Sequence, residues 1–223
     1  RLLAMRGHHV EVWEKDKDIG GTVRIAALAY EPNERLISYL KNSLDELGVK
    51  IKIRTLATPA SIQAFDPDHV IVAVGAHREA PLIKGKDGRN VFDGEQLRGL
   101  LFGSDSNAIK KLSLFQQIIL KIGRASQLLR NITALRFLSK IWMPISKNVV
   151  VIGGDLVGLE LAEFLIERGR NVKVLEPTGS LGPNLSIVRR SRVIHLLKEH
   201  GADLLTNVSI KEINNQEVIV QHE

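Results

Sequence analysis

The chain repeats itself, and the repeat restricts its fold more than any other feature. Leu3-Ala-Met-Arg-Gly7-His-His-Val10-Glu-Val12-Trp-Glu14 reads like Leu165-Ile-Glu-Arg-Gly169-Arg-Asn-Val172-Lys-Val174-Leu-Glu176, at an offset of 162 residues. Each copy has a helix end, a glycine able to take the left-handed cap, a short β-branched strand and an acid at the strand's end. Further along, Glu46-Leu47-Gly48-Val49 leading to Ile51 and Ile53 resembles Glu199-His-Gly201-Ala leading to Leu204-Leu205. Each of these follows a helical pattern. Leu36, Ile37, Leu40, Leu44 and Leu47 share one stripe of a helix over 33–47, and Ile187, Ile194 and Leu197 one of a helix over 187–199. A strand–helix–strand unit that occurs twice implies parallel sheets covered by helices. The expected fold class is therefore α/β, with two Rossmann-like dinucleotide-binding domains.

The second copy carries a beginning that the first lacks. Lys147-Asn-Val-Val-Val-Ile152 predicts a buried parallel strand, and Gly153-Gly154-Asp155-Leu156-Val157-Gly158 leads from it into a helix over 156–168. The equivalent loop of the first copy would fall ahead of Arg1, and the second copy is expected to stop before its own last strand. The reading is of a piece of something longer, with a partial dinucleotide-binding domain over 1–104 and a second over 147–223. Between them, 105–146 has no repeat partner. Leu112, Phe115, Ile118, Ile119 and Ile122, then Leu128, Leu129, Ile132, Leu135 and Leu138, predict two amphipathic helices broken near Gly123.

The glycines and acids point to a nucleotide. After a strand and before a helix, Gly153 makes the tight turn and Gly158 lets helix and strand approach, while the helix N-terminus offers free N–H groups to a pyrophosphate. Glu176 lies 23 residues beyond Gly153, where a carboxylate holds ribose hydroxyls and repels a 2′-phosphate, favouring NAD over NADP. Asp155 stands at the second glycine position, where backbone comes closest to the pyrophosphate; its side chain crowds that group and adds like charge. Glu14 is the matching acid of the first copy. Gly20-Gly21 suits backbone approach to a second phosphate or a ribityl chain, and 68–76 predicts a buried strand ending at Gly75-Ala76.

Charge and composition exclude other classes. The chain carries 31 Lys+Arg against 25 Asp+Glu, yet 107–147 holds eight basic residues and no acidic one, so the excess belongs to one segment. A nucleic-acid partner for the whole chain is poorly supported. There are no cysteines and no His-Glu-x-x-His pattern, so no disulfide relay, thiolate site or metal is expected. No run approaches the roughly 20 apolar residues of a membrane span, and no signal peptide is read, which makes a cytoplasmic location the expectation. The favoured reading of 107–147 is an interdomain linker whose apolar face packs on the parent's own barrel or on a sister subunit, with its basic residues solvated. The alternative is docking to lipid headgroups or an acidic partner. Asn131, Asn184 and Asn207 fit the glycosylation pattern without a secretory context.

The order Val-Glu-Val-Trp-Glu14-Lys15, Ile19-Gly20-Gly21, Ala73-Val74-Gly75-Ala76 with Arg78 and Pro81, then Val-Val-Ile-Gly153-Gly154 and Val174-Leu-Glu176, resembles the two-dinucleotide-domain flavoprotein reductases. Gly21-Thr-Val-Arg-Ile-Ala26-Ala and the long insert are most similar to the multidomain NADH:flavin oxidoreductases related to 2,4-dienoyl-CoA reductase, trimethylamine dehydrogenase and the old yellow enzymes. The resemblance implies an electron-entry module: NADH at 153–176 passing hydride to FAD, then onward through a 4Fe-4S cluster to FMN in the parent's own N-terminal flavin barrel. None of those last parts is in this sequence. It further implies that Glu14 holds the FAD ribose, Lys15 adds a contact at the adenosine end, Gly20 and Gly21 line the phosphate or ribityl path, and Gly75 passes near the cofactor. Hydride transfer needs stacked rings more than an acid or base, so no catalytic side chain is assigned. The competing reading is the trimethylamine-dehydrogenase-like one, in which the second domain holds ADP without donating hydride. A homo-oligomer is compatible with either.

Overall fold

The computed structural model describes residues 1–76, 81–102, 106–126 and 131–222. Arg78, Leu128, Leu129 and Arg130 of the sequence reading lie outside the described residues. The chain forms two compact units, Arg1–Glu79 and Ala80–Glu223; the helical segment after 94 belongs to the second.

The first unit runs α1 (Leu2–Met5), β1 (Glu11–Trp13), α2 (Val23–Ala29), α3 (Pro32–Glu46), β2 (Lys50–Lys52) and α4 (Pro59–Phe65). β1 and β2 are parallel, with Val12 opposite Ile51. Glu11 ties them together, accepting from Trp13 Nε1 at 2.6 Å and pairing with Lys52 at 2.8 Å and Lys50 at 3.4 Å. These bonds, that to Lys52 foremost, hold its carboxyl at about 2.

The second unit runs α5 (Gly94–Phe102), α6 (Ser106–Lys110), α7 (Leu114–Ala125), α8 (Ile132–Ile141), β3 (Asn148–Ile152), α9 (Leu156–Ile166), β4 (Asn171–Leu175), α10 (Ile187–Glu199), β5 (Asp203–Leu205), β6 (Val208–Ile213) and β7 (Val218–His222). The parallel sheet has the order β3-β4-β5, and β6-β7 form an antiparallel hairpin. Leu159, Leu165, Val174, Val193 and Leu197 fill the core between sheet and helices. Arg168, itself buried, joins the helical segment to α9: it stacks on Phe164 at 3.5 Å and donates to Ser139 Oγ at 2.9 Å.

The repeat is physical. Gly7, Gly48, Gly169 and Gly201 all have positive φ, at +85°, +66°, +69° and +76°. After each, the next N–H reaches five residues back into the helix: His8 to Leu3, Val49 to Leu44, Arg170 to Leu165 and Ala202 to Leu197, at 2.9–3.1 Å. Four helices thus end in one motif that only a residue tolerant of left-handed backbone completes cheaply.

Three expectations are corrected. The run 68–76 forms no strand, and Val70, Ile71, Val72 and Val74 are 52–84% exposed. A strand exists through its neighbours' hydrogen bonds, and the two described strands of this unit pair only with each other. β3 is parallel but is not buried throughout: it pairs with β4 alone, and only Val151 is enclosed. Lastly, α7 runs unbroken through Gly123. An interior glycine costs only about 1 kcal/mol against alanine, and here its bare backbone lines an apolar cavity of about 270 Å³ with Leu100, Leu120, Leu135 and Trp142.

Burial sets the expected mutational scale. Leu197→Ala, at a fully buried site, should cost about 2–5 kcal/mol in chemical denaturation. Leu40→Ala on half-exposed α3 should cost less than about 1 kcal/mol.

Candidate nucleotide site

β3 ends at Ile152 and the chain turns at Gly153, whose φ of +101° needs glycine. Its N–H donates to the Leu175 carbonyl at 2.8 Å, so the turn is tied to the neighbouring strand. α9 then starts with Asp155 as N-cap. Gly158 lies so close to the turn that a Cβ there would stand 1.8 Å from the Gly153 carbonyl oxygen. This is the steric reason for the third glycine, and it brings the helix N-terminus beside the strand ends. Leu156 and Val157, exposed in the first turn, add no competing polar group.

Glu176 closes the site. Its Oε2 accepts from Gly154 N at 2.6 Å, and its Oε1 from Thr178 N and Oγ1, both at 2.8 Å. Burial pushes its carboxyl up, but the Thr178 and Gly154 bonds outweigh this and hold it below the ordinary value. The acid is thus charged at neutral pH and fixed across the glycine loop.

Asp155 is engaged too, although not with the helix. Its carboxylate accepts from Asn184 Nδ2 at 2.6 Å and Asn184 N at 3.3 Å, and the side-chain bond lowers its carboxyl from the ordinary value. It makes no capping bond to α9, which leaves the helix N–H groups to a ligand while placing a negative charge at their side. Gly182 N donates to the Gly154 carbonyl at 2.7 Å, and Leu181 lies where a Gly154 side chain would have to go. The loop 177–185 therefore packs on the fingerprint. Thr178, Leu181, Gly182 and Asn184 were missed by sequence reasoning. The only local signal is the Pro- and Gly-rich stretch after Glu176, and Asn184 reads there as an idle glycosylation pattern.

The first unit holds a weaker counterpart. Glu14 Oε1 accepts from Asp16 N at 2.9 Å, two residues on, as Glu176 does from Thr178. Its N–H donates to Lys52 O at 2.9 Å, as that of Glu176 does to Leu205 O at 2.8 Å. Gly20, Gly21 and Gly75 have φ of +110°, +48° and +79°. Among the described residues no heavy atom lies within 4 Å of a Cβ built on Gly21 or Gly75, so backbone there meets none of them, as a close-fitting ligand requires. Lys15 is exposed without a partner among the described residues. Among the described residues no group of three or more His, Asp or Glu side chains could hold a metal, and no helix is long and apolar enough to cross a membrane.

Residues 41–223 match the family model described as pyridine nucleotide-disulphide oxidoreductase. Over 220 residues the chain is 30% identical to a bilirubin reductase of Mediterraneibacter gnavus, covering 98% of this chain and 28% of that protein. Over 214 residues it is 26% identical to an NADH oxidase of Thermoanaerobacter brockii, covering 94% of this chain and 27% of that protein. The solved structure of a 2-naphthoyl-CoA reductase in complex with 2-naphthoyl-CoA superposes with a TM-score of 0.74 at 27% identity, over 99% of this chain and 28% of that one. The chain spans somewhat more than a quarter of the length of these relatives.

Two substitutions test the site as built. Gly158→Ala should cost about 2 kcal/mol or more, because its methyl must displace α9 or the Gly153 carbonyl. Glu176 has a depressed carboxyl, so its contribution to stability is complete above the ordinary value of 4.5 and is lost as pH falls through the lower folded value. The stability gap between wild type and Glu176→Gln, followed by denaturation from about pH 6 to about pH 3, should therefore shrink on acidification.

Proposed function

The chain belongs to the pyridine nucleotide-disulphide oxidoreductase family, and on that premise we propose that it is the electron-entry module of a larger NADH:flavin oxidoreductase of the 2,4-dienoyl-CoA reductase type, passing hydride from NADH to FAD. The observation that carries this reading is the Glu176 carboxylate fixed at 2.6 Å from Gly154 N beside the start of α9. An acid so held presents acceptor oxygens to the adenosine ribose and opposes a 2′-phosphate, which favours NADH over NADPH. The N–H groups of α9 and the Gly153–Gly158 loop would take the diphosphate.

In the first unit Glu14 would hold the FAD ribose, with Lys15 at the adenosine end. Gly20, Gly21 and Gly75 would give the cofactor room, which the lack of contacts with the described residues at Gly21 and Gly75 supports. When bound, the flavin supplies two-electron chemistry, taking hydride from reduced nicotinamide and releasing electrons onward. The chain's own residues bind and orient; none is assigned a proton. Any FMN, iron–sulfur cluster and substrate barrel would belong to parts of the parent outside this sequence. Bilirubin and naphthoyl-CoA are named for the relatives and are not carried over.

Asp155 favours a second reading. A carboxylate held charged by Asn184 at the second glycine position opposes the diphosphate of NADH and of ADP alike; the second reading is that NADH is displaced from a hydride-donating position and the domain keeps a nucleotide only structurally.

The deciding experiment mixes the complete parent protein, anaerobically, with NADH or NADPH and follows flavin absorbance. The first reading expects rapid bleaching by NADH, at least about tenfold faster than by NADPH. Bleaching by neither, with ADP still raising the melting temperature, would establish the second. Asp155→Gly should tighten NADH binding by about tenfold in either case, since it removes one like charge from the diphosphate path.

A further inference from the structure

Helix α7 is oriented the wrong way for a helix that only completes a core. Leu114, Phe115, Ile118 and Ile122 are 55–78% exposed, while Gln116 and Gln117 are half-buried. At 100° per residue these four and the exposed Ala125 fall within one arc of roughly 100°, with Lys121 at its edge. Gly123 and Leu120 take the inward side, against the cavity. On α8, which lines the same cavity, Phe137 and Ile141 are exposed on either side of Lys140. Burial alone would have turned the isoleucines in and the glutamines out.

Charge selects the occupant. From 107 to 147 there are eight basic residues and no acidic one, and Lys110, Lys121, Lys140 and Lys147 are exposed. Two copies meeting through this face would bring together two segments of the same sign, whereas an anionic surface neutralises it. Bulky aliphatic and aromatic side chains in one stripe with lysine at the rim are what the headgroup–acyl boundary takes up. The 12 residues of α7 are too few to span a bilayer, so the helix would lie in the surface plane. We propose that the outward face of α7 docks the parent protein onto an anionic lipid surface, Lys121 facing the headgroups and Phe115, Ile118 and Ile122 entering below them.

Flotation of the complete parent protein with phosphatidylcholine vesicles, and with vesicles containing an equal share of phosphatidylglycerol, tests this. We expect about tenfold more protein on the anionic vesicles at low salt, falling as salt is raised. Ile118→Glu combined with Ile122→Glu should abolish the binding with circular dichroism and flavin content unchanged, because neither side chain is part of this chain's core. Lys121→Glu should weaken it severalfold. Absence of flotation at low salt overturns the proposal, as does equal flotation of wild type and double variant. A changed oligomeric state of the double variant, with no flotation of wild type, would assign the face to a second copy of the chain instead.

Discussion

The Gly153 carbonyl and Gly158 approach until no side chain can stand between them; a Cβ would lie 1.8 Å from that oxygen. This contact seats α9 against the ends of β3 and β4, and the rest of the second unit is arranged around it. With the helix that close, its N-terminus opens beside the strand ends, where Glu176 arrives on the adjacent strand. The Gly154 N–H, freed by the turn, is then within reach of the Glu176 carboxylate. The core residues Leu159 and Leu165 on α9 meet Val174 and Leu197 from the same placement. A helix seated even a methyl's width farther out would lose the packing and the acid's partner together.

What the sequence made legible is what the backbone must do locally. Gly7, Gly48, Gly169 and Gly201 announce helix ends because left-handed caps have few alternatives, and all four end helices as read. α10 occupies the expected 187–199, and β3 and β4 follow β-branched runs bounded by glycine and polar residues. The place of Glu176 was legible because its distance from the glycine loop is set by one helix and one strand. Long-range partners were not legible. The run Val70–Val74 has the composition of a buried strand, yet strand formation is decided by a neighbour that composition cannot supply. Likewise α7 has the expected period, but periodicity does not say which face meets water.

The two acids separate what the repeat preserves from what it does not. Glu14 and Glu176 share the bond to the N–H two residues on and the ladder bond to the neighbouring strand. Both are consequences of a strand end followed by a turn, so they recur wherever that unit recurs. The bond to Gly154 requires a glycine loop in place, and the second unit has it. The loop 177–185 adds a further layer there, since Leu181 and Gly182 pack on Gly154 and Asn184 takes the Asp155 carboxylate.

That last pair explains how the fingerprint can depart from its pattern without disturbing the fold. Gly153 is required by its φ of +101°, Gly158 by the facing carbonyl, and Gly154 by Leu181. Asp155 has a φ of −91°, a backbone that any residue adopts, and its side chain has a partner in Asn184. The backbone at this position therefore does not demand glycine, and the side chain that stands there has a partner in the protein. Backbone geometry and close packing set Gly153 and Gly158, while Asp155 is accommodated because its backbone is ordinary and its carboxylate is bonded.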